Sequence, residues 1–107
     1  MVEKEILEMR PGAELNILVA KQIMGHEVVS DQMMGDMERF LDKEGESVWG
    51  TPLHYSEDPA IAQAVVVEML SRGYEDAETW EDYGQGRYAP AEAICKRALM
   101  AVLSACN

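Results

Sequence analysis

The chain of 107 residues has few cysteines and no long apolar run. Cys95 and Cys106 are 11 residues apart in what reads as one helix, which separates them by about 16 Å along its axis. That distance is too long for a disulfide bond. No run of about 18 apolar residues is present, so the sequence predicts no membrane-spanning segment. The charged start lacks a signal-peptide core, and we expect a cytoplasmic protein.

Basic residues are also scarce. Nine Lys and Arg stand against 20 Asp and Glu, giving a formal net charge of −11, and the acidic excess extends over both halves of the chain. Because binding to a phosphate backbone depends on Lys and Arg, we expect no direct binding to nucleic acid. Apolar residues make up 48% of the chain, enough for one core. We interpret residues 1–10 as a lead-in segment and residues 11–107 as a single α+β domain.

Apolar residues at helical spacing predict three helices in this domain. The first covers residues 13–24. The second begins near Ser56, whose hydroxyl we expect to cap it, and ends at Gly73. The third begins at Pro90, a residue that suits the first position of a helix.

The segments between the helices favour a small sheet. Residues 26–29 read as a short strand, and residues 30–50 read as strand and loop. Residues 74–88 alternate imperfectly between apolar and polar, and Gly84-Gln85-Gly86 predicts a turn, so we expect a hairpin with one wet face. The resulting fold class is α+β: three helices packed on a small, mostly antiparallel sheet in α/β/α layers.

Short patterns spread over residues 12–103 carry a family resemblance. They are Glu14-Leu15-Asn16, Val19-Ala20-Lys21 and Met24-Gly25, then Pro52 to Tyr55-Ser56, then Ala93-Ile94-Cys95 and Ala98-Leu99. In this order they resemble the phage ABA-sandwich domain family. The resemblance implies an α/β/α layered fold and an origin in a phage or prophage. The resemblance does not supply an enzymatic activity, since no catalytic residues are assigned to the family as a whole.

Residues that could support catalysis or metal binding have simpler explanations. His54 with Glu57 and Asp58, joined by His26, is the best candidate for a metal site, but Glu57 and Asp58 suit the first turn of a helix. The sequence contains no nucleophile elbow and no phosphate-binding glycine loop. We therefore predict no metal, no cofactor and no enzymatic activity.

The candidate binding residues are aromatic or lie beside aromatic residues. Arg87 between Tyr83 and Tyr88 suggests a pocket for a small planar anion such as a nucleotide. The alternative is that these rings complete the core of a protein with one Phe. The full candidate set is Trp49, Tyr55, Trp80, Glu81, Asp82, Tyr83, Arg87 and Tyr88.

Five carboxylates also fall within eight residues, with no basic residue among them: Glu75, Asp76, Glu78, Glu81 and Asp82. They form either a solvated face or an acidic surface that docks in a basic groove and imitates nucleic acid.

The absence of catalytic motifs favours a non-enzymatic accessory protein that acts by binding, and the resemblance implies that it derives from a phage or prophage. It would block or sequester a component of the bacterial host, including its anti-phage defence. The partner would be a basic host protein or a small nucleotide-like ligand. The alternative is a structural or assembly component of the phage particle or replication machinery, which works as a symmetric homo-oligomer through the apolar second helix.

Overall fold

A computed structural model describes residues 3–33 and 35–105. This part of the chain contains four α-helices, one 3₁₀ helix and a three-stranded antiparallel sheet. The elements are α1 (Glu3–Glu8), α2 (Ala13–Gln22), β1 (Val28–Asp31), β2 (Gly35–Leu41), β3 (Ser47–Gly50), α3 (Pro59–Ser71), the 3₁₀ helix (Glu75–Asp82) and α4 (Pro90–Ala105). Cys106 lies outside the described residues.

The three helices expected from the sequence are present as α2, α3 and α4, but the prediction of three helices in total was wrong. Residues 3–8 form the additional helix α1, within the segment interpreted as a lead-in. Its Ile6 side chain is fully buried in the core, and the Lys96 ammonium of α4 donates to the Leu7 carbonyl at 2.9 Å. Residues 3–8 are thus packed against the body of the protein.

The predicted hairpin over residues 74–88 was also wrong. Residues 75–82 form a 3₁₀ helix instead, followed by turns. A 3₁₀ helix has three residues per turn, so Ala77 and Trp80 lie in one row, and both are buried. The imperfect alternation of the sequence is therefore a period of three rather than two.

The cap of α3 differs from the expected one. Asp58 is the N-cap residue, and its carboxylate accepts a hydrogen bond from the Ala60 amide at 2.9 Å. The Ser56 hydroxyl instead donates to Asn16 Oδ1 at 2.6 Å and accepts from the Gly12 amide at 3.0 Å. Ser56 thus joins the segment before α3 to the start of α2.

The expected antiparallel sheet is confirmed, with β2 between β1 and β3. Val28 pairs with Glu38, which pairs with Gly50, so these residues share a face directed at the helices. Side chains alternate along strands, and the opposite face is called here the outer face. It carries Val29, Met37, Arg39, Leu41 and Trp49.

The hydrophobic core lies among the helices. Its members include Leu15 and Val19 of α2, Val65 of α3 and Leu99 of α4. Among the described residues, no hydrophobic side chain of the three strands is fully buried, and Leu41 on the outer face is 70% exposed. No helix in residues 3–33 or 35–105 has the length and apolar character needed to cross a bilayer.

Truncation of Ile6 tests whether α1 belongs to the cooperative fold. Ile6→Ala should lower the free energy of unfolding by about 2–5 kcal/mol, because it removes buried methylenes and leaves a cavity. Val67→Ala in α3 is the matched control, since Val67 is 64% exposed, and it should change stability by less than about 0.5 kcal/mol. Urea denaturation measures both values. Equal small effects would mean that α1 is a dispensable lead-in.

Candidate functional site

The acidic 3₁₀ helix (Glu75–Asp82) presents one buried row and two exposed rows. Ala77 and Trp80 face the core, while every acidic residue of the helix is exposed to solvent. A rise of about 2.0 Å per residue spreads the five carboxylates over about 14 Å. The first exposed row contains Glu75, Glu78 and Glu81, and the second contains Asp76, Thr79 and Asp82.

One basic side chain approaches this helix among the described residues. Arg97 of α4 lies 4.0 Å from the Asp76 carboxylate, and its guanidinium stands over the Trp80 ring, 4.7 Å from the centroid. The other four carboxylates of the helix, Glu75, Glu78, Glu81 and Asp82, form no ion pair within the described residues. The acidic helix therefore leaves most of its negative charge uncompensated.

Trp80 supports the helix from inside. Its side chain is 3% exposed and forms an edge-on contact with Tyr74, with ring centroids 5.8 Å apart. The indole Nε1 has no hydrogen-bond partner among the described residues. Trp80 was predicted as a binding residue, and the structure places its side chain in the core beneath the exposed Glu81 and Asp82.

The aromatic turn that follows the helix brings four predicted residues around one cleft of about 520 Å³. Tyr83 and Tyr88 stack with centroids 6.3 Å apart and planes inclined by 19°. The Lys96 ammonium lies 4.1 Å from the centroid of Tyr88. The Tyr88 ring therefore already interacts with two groups, and a planar ligand must displace one of them to stack on it. The cleft is lined by Leu7, Asp82, Tyr83, Gly84, Gln85, Arg87 and Tyr88.

Two glycines of this turn offer a matched test of its packing. Gly84 and Gly86 both have positive φ angles, +87° and +91°, so alanine is strained at either position. A Cβ at Gly84 would also lie 2.6 Å from the Tyr88 ring, whereas nothing lies within 4 Å of one at Gly86.

Gly84→Ala should therefore destabilise the protein more than Gly86→Ala. The backbone strain shared by both costs about 1–2 kcal/mol, and overpacking against Tyr88 adds about 1–3 kcal/mol. Thermal unfolding of the two variants isolates the difference. Equal melting temperatures would show that Tyr88 moves away freely and that the ring pair is not fixed.

The other two predicted aromatic residues lie outside this cleft. Tyr55 is fully buried, and its hydroxyl donates to Glu38 Oε2 at 2.8 Å. Burial, followed by the neighbouring Glu38 carboxylate, raises the pKa of Tyr55 far above its usual value. Trp49 pairs with Arg39 on the outer face of the sheet. Neither residue lines the cleft at Tyr83 and Arg87.

Sequence reasoning missed the most buried carboxylate of the described chain, Glu38 on β2. Its side chain accepts hydrogen bonds from Tyr55 and from the Leu53 amide at 3.0 Å. His26 Nδ1 lies 2.5 Å from the Glu38 carboxylate. The His26 ring also contacts Phe40 edge-on at 5.5 Å. Glu38 therefore connects the sheet to the end of α2 and to the segment before α3.

Replacing this carboxylate tests that connection. Glu38→Gln should lower the free energy of unfolding by about 1–3 kcal/mol, because an NH₂ group would meet groups that themselves donate. Glu46→Gln, at an exposed position before β3, makes the same change of charge and serves as control. Urea denaturation gives the stability, and hydrogen exchange of the strand amides localises the loss. Protection unchanged in the sheet would contradict the role assigned to Glu38.

The residues considered for a metal site make separate contacts in the structure. His54 Nδ1 lies 3.1 Å from Glu57 Oε1, Asp58 caps α3, and His26 contacts Glu38. Within residues 3–33 and 35–105, no group of three or more His, Cys, Asp and Glu is arranged to hold a metal ion.

Cys95 is buried and contacts the backbone of the segment before α3. Its thiol donates to the Tyr55 carbonyl at 3.2 Å. Burial raises the pKa of the Cys95 thiol to about 12, so it is protonated at neutral pH. A protonated, buried thiol is a packing group rather than a nucleophile.

Comparison of the chain with protein-family models, with curated proteins and with solved structures finds no match. The similarity to the phage ABA-sandwich family therefore depends on the short patterns quoted above, and membership stays a prediction.

Proposed function

We propose that this protein acts by binding and that its acidic 3₁₀ helix occupies a basic groove of a bacterial host protein. The observation that carries the proposal is the exposure of the carboxylates of residues 75–82, with Arg97 as the one nearby cation in the described chain. A basic partner would supply the missing counter-charges. Complementary charge of this kind speeds association and selects the partner.

The spacing of the charges supports a groove that normally holds nucleic acid. Five carboxylates over about 14 Å give one charge per about 3 Å of helix axis. One strand of B-DNA carries one charge per about 3.4 Å. Ala77 and Trp80 anchor the helix in the core, so its carboxylates are held on a fixed support. The helix thus resembles a short length of phosphate backbone in charge density.

Non-enzymatic action is part of the same proposal. Cys95 is protonated and buried, and Asp58 and Ser56 are engaged in structural hydrogen bonds. These contacts are the ordinary ones of a stable scaffold.

The phage or prophage setting follows from the resemblance given above, as does the α/β/α layering. An acidic protein that occludes a nucleic-acid groove would serve a phage by inhibiting a host enzyme of anti-phage defence. The high negative charge of the whole chain favours such a partner and disfavours nucleic acid itself.

Capture from a bacterial lysate tests the proposal. The tagged protein should retain a basic, nucleic-acid-binding protein at low salt and release it at high salt, because surface charges are screened. Double-stranded DNA should compete with the tagged protein for the captured partner. The double variant Glu78→Gln/Glu81→Gln should weaken binding at least about fivefold, since it removes two charges from one exposed row.

A variant with the same loss of charge elsewhere is the control. Glu44→Gln/Glu46→Gln changes two exposed residues near the β2–β3 turn and should leave binding within about twofold of the unmodified protein. Equal loss of binding in both variants would point to net charge rather than the acidic helix. Unchanged binding in the Glu78/Glu81 variant would overturn the proposal.

A second candidate function is sequestration of a nucleotide-like signal, favoured by the cleft of about 520 Å³ beside Tyr83, Arg87 and Tyr88. A nucleotide bound there would raise the melting temperature in proportion to the logarithm of its concentration. Arg87→Gln should abolish that rise, because Arg87 is the exposed cation at the cleft. A rise that survives this change would exclude the cleft.

The structural alternative is a symmetric oligomer in a phage particle or replication machinery. It was expected to assemble through the apolar face of α3, but α3 leaves less apolar surface free than expected. Val65, Val66 and Met69 are used in the core of the monomer. The observation that still favours assembly is the exposed outer face with Leu41 and Trp49. Sedimentation that shows a concentration-dependent oligomer, disrupted by Leu41→Ser, would support this alternative.

A further inference from the structure

A cavity of about 290 Å³ lies where the start of α2, strand β2 and the segment before α3 meet. It is distinct from the acidic 3₁₀ helix and from the aromatic turn. None of the residues predicted to bind a partner lines it. Its walls are Ala13, Asn16, Ile17, Asp36, Thr51, Pro52, His54 and Glu57.

Two carboxylates give this cavity a negative charge, and no Lys or Arg lines it. Glu57 Oε1 accepts hydrogen bonds from Asn16 Nδ2 at 3.0 Å and from His54 Nδ1 at 3.1 Å. Asp36 Oδ1 accepts from the Ser30 hydroxyl at 2.6 Å. Each carboxylate thus keeps a second oxygen that no hydrogen bond from the described residues reaches.

The Glu57 carboxylate is held in its ionised form. Hydrogen bonds from His54, and then from Asn16, lower the pKa of Glu57 below its usual value. Asn16 is itself fixed, because its Oδ1 accepts from the Ser56 amide at 2.8 Å and from the Ser56 hydroxyl. Asn16 therefore gives one oxygen of the Glu57 carboxylate a defined position, while the Glu57 side chain remains 45% exposed at the mouth of the cavity.

The rest of the wall is apolar. Ala13, Ile17 and Pro52 provide carbon surface next to the two carboxylates. An apolar wall beside a few fixed polar groups is the usual composition of a site for a small organic ligand. A divalent metal ion fits less well, since calcium takes six to eight oxygen ligands.

We propose that this cavity binds an organic cation, a primary ammonium or guanidinium group on an aliphatic stem about as long as a lysine side chain. The cationic head would donate to the second oxygens of Glu57 and Asp36. The stem would lie along Ile17 and Pro52. Charge-assisted hydrogen bonds to ionised carboxylates are about twice as strong as neutral ones, and they supply the selectivity for a cation.

Titration with n-butylammonium, followed by ¹H–¹⁵N NMR, tests this site. Saturable shifts are expected for the Asn16 side-chain amide, which donates to Glu57, and for the backbone amides that line the cavity. Butan-1-ol has the same stem without the charge and should bind at least about tenfold more weakly. Absence of saturable shifts, or equal binding of the alcohol, would overturn the proposal.

Conservative variants assign the effect to the two carboxylates. Glu57→Gln keeps an acceptor for Asn16 and His54, and Asp36→Asn keeps one for Ser30, so both changes mainly remove charge. Each should raise the Kd for n-butylammonium at least about tenfold. Glu44→Gln removes one exposed carboxylate near the β2–β3 turn and should leave the Kd within twofold. An equal effect of all three variants on the Kd would mean that net charge, rather than these two carboxylates, controls binding, and it would overturn the proposal.

A second probe distinguishes the source of the cation. Gly-Lys-Gly, blocked at both ends, presents the same head and stem on a peptide. Binding of the peptide at least as tight as that of n-butylammonium supports a side chain of a protein partner as the natural ligand. Binding of the free amine alone supports a small amine.

Discussion

The buried Glu38 carboxylate is the interaction on which the arrangement of this fold depends. The helices share a hydrophobic core, whereas the three strands contribute no fully buried hydrophobic side chain among the described residues. Val28 of β1 packs against that core while only partly buried, so the position of the sheet depends on polar contacts as well as on this small apolar one. The Glu38 carboxylate accepts hydrogen bonds from the Tyr55 hydroxyl and the Leu53 amide and contacts His26, so its partners precede and follow the sheet in sequence. Burying a carboxylate is costly without such partners, so other placements of the sheet are disfavoured.

A second polar cluster fixes the other end of the segment before α3, residues 51–57. Asn16 and Ser56 join the start of α2 to the residues before α3, and Gly12 completes the contact through its amide. Residues 51–57 are consequently held at Glu38 and at Asn16, although they contain no helix or strand. This double attachment gives the cavity beside Glu57 a defined shape. Hydrophobic burial stabilises the helices, and these polar clusters specify how the remaining parts are attached to them.

The sequence was informative where one periodicity dominated. The apolar rows of α2, α3 and α4 fit a helix, and Gly73 and Pro90 mark helix boundaries correctly. The 3₁₀ helix could not be recognised, because over eight residues a period of three differs little from an imperfect period of two. Glu38 could not be identified as buried either, since a carboxylate in a strand normally indicates a solvent-exposed face of the sheet. Its burial depends on His26 and Tyr55, which are distant in sequence.

The candidate site was also predictable only in part, because local patterns can be recognised in the sequence whereas tertiary contacts cannot. Local composition identified the acidic run, and Asp82, Tyr83, Arg87 and Tyr88 are near enough in sequence to share one cleft. Trp49 and Tyr55 were grouped with them by residue type alone. Their positions on the outer face of the sheet and in the core are set by tertiary contacts that composition does not report.

The acidic 3₁₀ helix carries repulsion between its own carboxylates, and this repulsion bears on the proposed function. Neighbouring carboxylates in one row are about 6 Å apart, and each such pair repels by about 0.7 kcal/mol in water. Burial of an aromatic side chain such as Trp80 contributes at least about 1.5–3 kcal/mol, enough to offset several such pairs. The free protein thus keeps this repulsion, because Arg97 pairs with Asp76 in the other row and no basic group of the described chain forms an ion pair with Glu75, Glu78 or Glu81. A basic partner would relieve that repulsion on binding. The repulsion free energy, which burial of Trp80 offsets in the free protein, would then contribute to the free energy of association.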